Sequence, residues 1–170
     1  MSIVDTSRAS EPGTIAVAMG NIDRLLAFTP EWLVAVVARF SIAAVFWKSG
    51  QTKIEGFAID LVEGRFTLGV PRFADSTIDL FKDEYNLPFI PPELAAVLAT
   101  IGEHVFPVLI LFGLATRVSA LALLAMTAVI QVFVYPGAYP LHGVWAAVLL
   151  YLMRHGAGPV SLDALIARRG

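Results

Sequence analysis

The 170-residue chain contains no cysteine. It therefore cannot carry out dithiol–disulfide exchange or hold an iron–sulfur cluster on its own thiolates. Charge is also scarce: 15% of residues are charged and 57% are hydrophobic, whereas a soluble domain carries about a quarter charged residues. The net charge of −2 leaves no basic face, so nucleic acid is not an expected partner. Walker, GxGxxG, GxSxG and HExxH patterns are missing, which removes support for the common soluble enzyme classes. The opening MSIVDTSRASEP has no basic n-region, and no apolar h-region with a cleavage site follows it. No removable signal peptide is expected, and residues 1–12 read as flexible.

What is present is hydrophobic and blocked. Four apolar segments stand out, about 31–50, 92–113, 118–135 and 138–154, each a candidate membrane helix. The fold class they imply is all-α: a single-domain integral membrane four-helix bundle in contact with membrane lipid. Ahead of them Ile15, Met19, Ile22 and Leu26 recur at helical spacing. This marks 14–28 as an amphipathic helix lying in the interface. The first span opens on Pro30-Glu31, which suits a helix start, and Trp32 and Trp47 sit near its ends at headgroup depth. The fourth is short, with an apolar run of about 13 residues or about 20 Å, so it must tilt or borrow the preceding turn.

Four spans place both termini on one side, with Arg8, Arg24, Arg117, Arg154, Arg168 and Arg169. The other side holds Lys53, Arg65, Arg72 and Lys82 among more acids. The positive-inside rule then predicts a multi-pass bacterial inner-membrane protein with both termini cytoplasmic. Residues 51–91 form a long periplasmic loop between the first two membrane helices. Its apolar patches, Phe57–Val62 and Ile78–Tyr85, read as interfacial helices over the bundle mouth, one of them capped by Asp75 or Ser76. The loop's acids have no metal-binding spacing and read as a solvated face.

The second span, PELAAVLATIGEHVFPVLILFGLATR, is the segment that calls for chemistry, because Glu103 and His104 lie in its middle. A carboxylate there is costly unless paired, and such residues mark functional sites by default. Helical rise puts Arg39 about 12 Å and Glu103 about 15 Å from the same surface, so the spacing predicts a buried Arg39–Glu103 ion pair. Such a pair serves architecture or chemistry with equal ease. Glu103 and His104 are the candidate catalytic groups. Lys48, Lys53, His104, Gln131, Tyr135 and His142 are the candidates for a ligand or quinone pocket in the outer half. His104 and His142 are the only candidate metal ligands; their spacing does not demand a metal, and a hydrogen-bonded pocket is the preferred reading. Alanines at 43, 44, 95, 99, 120 and 122 favour close helix contact.

RFSIAAVFWKSGQTKI in the first span, with Arg39 inside it and Lys48-Ser49-Gly50 through Lys53 at its exit, together with Glu103 and the terminal FGLATR of the second, resembles the DoxX family of small four-helix membrane proteins. The likeness covers about residues 33–154. Carried over position by position, Arg39, Glu103 and the turn residues Thr116 and Arg117 match the family pattern. His104-Val105 stands where the family usually has a glycine pair, so His104 and His142 are not family positions. The resemblance implies an association with respiratory or thiosulfate–quinone oxidoreduction and with membrane complexes of redox-stress defence. The run Asp83–Ala95 resembles members found beside copper-handling, methanobactin-like peptide systems. Two functions follow as expectations. One is an accessory subunit of a larger redox or metal-homeostasis complex, with a protein partner and no built-in cofactor. The other is a quinone-binding oxidoreductase subunit with Glu103 or His104 accepting protons and Arg39 tuning them.

Overall fold

The computed structural model describes residues 14–60 and 63–169; the leader read as flexible lies outside them. Helix α1 (Thr14–Ala27) leads into α2 (Glu31–Gln51). A hairpin of β1 (Ile54–Asp60) and β2 (Arg65–Phe73) follows, then α3 (Asp75–Asp79), which continues as a π-helix Leu80–Tyr85. Helix α4 (Pro92–Phe112) turns sharply into α5 (Thr116–Val129), which ends in a π turn, Ile130–Val134. A single 3-10 turn at Pro136–Ala138 leads to α6 (Tyr139–His155), and α7 (Leu162–Ala167) closes the chain.

Helices α2, α4, α5 and α6 form an all-α bundle in which α4 packs on α2 and α5, and α6 on α5 and α2. Three of them, Glu31–Gln51, Pro92–Phe112 and Thr116–Val134, are long and apolar enough to cross a membrane. The fourth, α6, has 17 residues, about 25 Å of helix. The bundle is apolar outside as well as inside. Ile42, Phe46, Ile110, Leu123, Leu149 and Leu152 fill the core, while Phe40, Leu98, Ile101, Val118, Leu121 and Val144 face outward. That distribution fits a hydrocarbon solvent. On α1, Val17, Met19, Ile22 and Leu26 are all exposed.

The segment after α2 differs from its sequence reading. Interfacial helices are expected from 51–91; Asp75–Asp79 is helical, with Ala74 rather than Asp75 or Ser76 at its N-cap, but residues 54–60 and 65–73 pair as an antiparallel hairpin. The signal was the period-two run Phe66, Leu68, Val70, which a strand places on one face. A bulge between Glu55 and Phe57 needs glycine: Gly56 has φ 82°, and a Cβ there would lie 2.5 Å from the Val70 carbonyl oxygen. Phe81, in the π-helix that continues α3, packs on Ala95 and Ala96 of α4, so Ala95 accommodates that segment.

At the opposite end of the bundle the α4–α5 turn is built on Gly113 (φ 66°) and Ala115 (φ 48°). The first N–H groups of α5 are capped from a distance: Asp163 accepts from Ala115 N (2.8 Å) and Thr116 N (3.0 Å), and its own N–H donates to Gly113 O (2.8 Å). Helix α7 thus seals this end, below called the terminal end; the other is the hairpin end.

Candidate functional site

Glu103 is buried, but its partner is not Arg39. Its Oε2 lies 2.6 Å from Lys53 Nζ, each side chain 3% exposed. This is an ion pair by distance without the angle of a full hydrogen bond. Oε1 accepts from Ser49 Oγ at 3.0 Å. The ammonium also donates to Ser49 Oγ and to Ser49 O, both at 3.2 Å. Lys53 stands just beyond the last turn of α2, and its backbone reaches the outer elements: Lys53 O accepts from Thr77 Oγ1 (2.8 Å) and Ala74 N (3.1 Å). One residue therefore joins the Glu103 carboxylate in α4 to the start of α3.

Arg39 points to the terminal end. Its guanidinium donates to Ala157 O (2.8 Å), Val160 O (2.6 Å) and Leu111 O (2.9 Å), and Asp163 is the acid whose charge acts on it. The depth count went wrong at its reference level: a Cβ on Gly50 would lie 3.1 Å from Glu103 Cβ and one on Gly113 3.1 Å from Arg39 Nη1, so Glu103 is level with the end of α2 and Arg39 with the end of α4. A helical Cα–Cβ bond tilts toward its own N-terminus. In antiparallel α2 and α4 this tilt widens the separation further, leaning Arg39 and Glu103 toward opposite ends of the bundle. Pro107 adds a local feature, since it lacks the N–H that would bond the Glu103 carbonyl.

His104 belongs to a second network. Its Nδ1 is 2.7 Å from Thr100 O and its Nε2 is 3.0 Å from Gln51 Nε2. The carbonyl can only accept, so Nδ1 carries the proton and Nε2 accepts from the Gln51 amide. Gln51 Oε1 in turn accepts from Ile59 N (2.9 Å), and Trp47 Nε1 donates to Ile59 O (2.9 Å) while its ring meets His104 edge-on. Strand β1 is thereby fastened to α2 and α4. Gly50 makes room: a Cβ there would lie 2.8 Å from His104 Cε1.

The other pocket candidates do not converge on one cavity. Lys48 is exposed on the outside of α2. Gln131 and His142 meet each other at 2.7 Å between α5 and α6. Tyr135 donates to Glu84 and packs edge-on against Tyr85, clasping α3 to the end of α5. That hydrogen bond, followed by burial, pushes the Tyr135 phenol well up. Burial, then the charges of Glu103 and Glu84, push the Tyr85 phenol up, against the opposing effect of its bond to Tyr135. Tyr85 and Glu103 share the wall of an apolar cleft of about 370 Å³ beneath α3, between α4 and α5. His104 and His142 stand in separate networks, each engaged by an amide side chain, so they do not form a joint metal site; among the described residues no metal-binding group of His, Cys, Asp or Glu occurs.

Of the turn residues, Thr116 is buried at the start of α5, and exposed Arg117 lies over Gly156, with Nε 3.4 Å from where a Cβ would sit. Ser49, Gln51, Glu84, Tyr85 and Asp163 went unpredicted. For Ser49 the signal was its position one turn before Lys53; for Asp163 it was the Ser161-x-Asp163 start of α7, whose target could not be read from the chain.

Fold and buried ionic site together define a small polytopic membrane protein with a hairpin at one end of its bundle. The DoxX family model matches residues 34–136, and the chain belongs to the DoxX family. It is also 29% identical over 143 residues to an uncharacterized protein of Haemophilus influenzae, covering 78% of this chain and 83% of that one. No solved structure matches.

Proposed function

We propose that the chain is an accessory subunit of a larger redox or metal-homeostasis complex in the bacterial inner membrane, with its termini cytoplasmic and the redox centre carried by a partner. The observation that supports this reading is the use made of the buried polar groups. Lys53, Glu103, Ser49, His104 and Gln51 all join the bundle to the hairpin and α3. They hold a platform on which Phe66, Leu68 and Val70 stand exposed. The arginine bias toward the termini supports the orientation. The test is native electrophoresis in mild detergent of the chain expressed in its own host. A larger species carrying a flavin, haem or metal chromophore is expected, and a reproducibly bare chain would contradict the proposal.

The cleft beneath α3 favours a second reading, a lipid-soluble quinone. Its apolar walls suit an isoprenoid body, with Tyr85 and Glu103 as the polar groups at hand. When bound, a quinone would supply the electron chemistry; Tyr85 and Glu103 would orient its headgroup. Lipid extraction of the purified protein checks this: quinone retained by the parent and lost in Glu103→Gln supports it, and its absence from the parent counts against it.

A further inference from the structure

A second cleft, of about 280 Å³, opens on the other face of α5. Leu124, Thr127, Ala128 and Gln131 line it from α5, with Tyr139, His142, Gly143 and Ala146 opposite. Its size is near the lower end of small-molecule sites, roughly 300–1,000 Å³. Its walls are almost wholly apolar; of their polar side chains Thr127 and Gln131 are already assigned, and Tyr139 is 70% exposed. Thr127 Oγ1 donates to Leu123 O (2.8 Å), and Gln131 Nε2 donates to Pro136 O (2.7 Å). That second bond fixes the Gln131 amide, because a carbonyl cannot accept from an oxygen. Gln131 Oε1 must therefore face His142 Nδ1, at 2.7 Å, and Nδ1 must carry the proton. His142 Nε2 is left as a lone-pair acceptor: the hydrogen bond that the ring makes among the described residues is the one at Nδ1. The ring is 6% exposed and is held in place by Trp145, with ring centroids 5.0 Å apart.

We infer that this cleft binds a lipid-soluble molecule bearing a single hydroxyl, of the phenol class, which donates to His142 Nε2. An acceptor-only headgroup, such as an ether or ketone, would face a lone pair. A polyol headgroup would bury its further hydroxyls against apolar walls with only the exposed Tyr139 left to bond them, a costly arrangement. Gly143 leaves room for the ring, since a Cβ there would meet nothing within 4 Å. The site lies across α5 from the cleft beneath α3 and stands independently of the quinone reading.

The test uses the full chain in phosphatidylcholine nanodiscs with isotopically labelled histidine, titrated with para-hexylphenol and with its methyl ether, para-hexylanisole. The phenol is expected to shift the His142 Nε2 resonance and to bind about tenfold more tightly than the ether, the worth of one hydrogen bond in apolar surroundings. His142→Phe should abolish that preference. Gly143→Leu, which fills the cleft and keeps the histidine, should abolish saturable binding while the Nδ1 resonance still reports the Gln131 bond. Equal affinity for phenol and ether would overturn the inference, as would undiminished phenol binding by Gly143→Leu.

Discussion

Replacing Glu103 by Leu removes the anion from a pair whose side chains are each 3% exposed. Lys53 then keeps its two contacts to Ser49, at 3.2 Å each, but loses the carboxylate 2.6 Å away. Breaking a buried pair by deleting one partner costs about 3–5 kcal/mol, whereas replacing both by apolar groups of similar volume is close to neutral. At the lower figure the single variant should melt roughly 6–12 °C below the parent, using the slope for a chain of this size. Lys53→Met should fall by a similar amount, and the double variant should recover most of the loss. The assay is thermal unfolding of the four proteins in one detergent, read as a double-mutant cycle with a coupling energy of about 5 kcal/mol, the two single losses less the small one left in the double variant. If the two single losses simply add in the double variant, the two residues are not paired. If Glu103→Leu couples instead to Arg39→Met, the pairing drawn from the depth count was the right one.

Arg39→Met frees the carbonyls of Ala157, Val160 and Leu111. It should cost on the order of 3–5 kcal/mol at charged-bond values and expose residues 156–167 to protease, while Arg39→Lys should rescue only in part. Asp163→Ala removes the distant cap of α5 and should lower stability by about 1 kcal/mol, with faster hydrogen exchange confined to the α4–α5 turn and first turn of α5. Gly50→Ala drives a methyl into His104; its histidine nitrogen spectrum should lose the Gln51-bonded signature. Tyr85 and Tyr135 are raised above the ordinary phenol value of 10.0, so the folded state holds protons that the unfolded state has released. Stability should therefore be full below pH of about 10 and decline above it. Tyr135→Phe, which cannot ionise and lacks the Glu84 bond, should show a smaller decline in the same titration.

The membrane bundle was legible because its signal is additive: twenty-odd apolar residues in a row with aromatic ends leave few alternatives. The hairpin was not, because Phe57, Ile59 and Leu61-Val62 suit a strand or an interfacial helix, and only the alternation from Phe66 to Val70 argued for the strand. At the site, Glu103 was singled out by the cost of its burial, yet it was given the wrong partner. The rise per residue gives depth only from a shared reference level, and Glu31 does not lie level with Gly113, which Arg39 approaches instead. With the levels corrected, Arg39 falls at the terminal end and Glu103 beside Gly50 and Lys53. Gln131 and His142 were grouped correctly by depth, whereas Tyr135, near the same depth, was drawn to Glu84 by a helix whose docking the chain did not announce. Asp163 was beyond reach, since it acts on backbone N–H groups far away in sequence.

The central claim is that Glu103 serves the hairpin end of the molecule through Lys53. Hydrogen exchange of residues 54–60 and 74–77 in nanodiscs, for the parent and Glu103→Gln, tests it most directly. The account predicts slow exchange in the parent and marked acceleration across both segments in the variant, with residues 156–167 unchanged. Unchanged exchange at the hairpin, with acceleration appearing around Ala157 and Val160 instead, would contradict it.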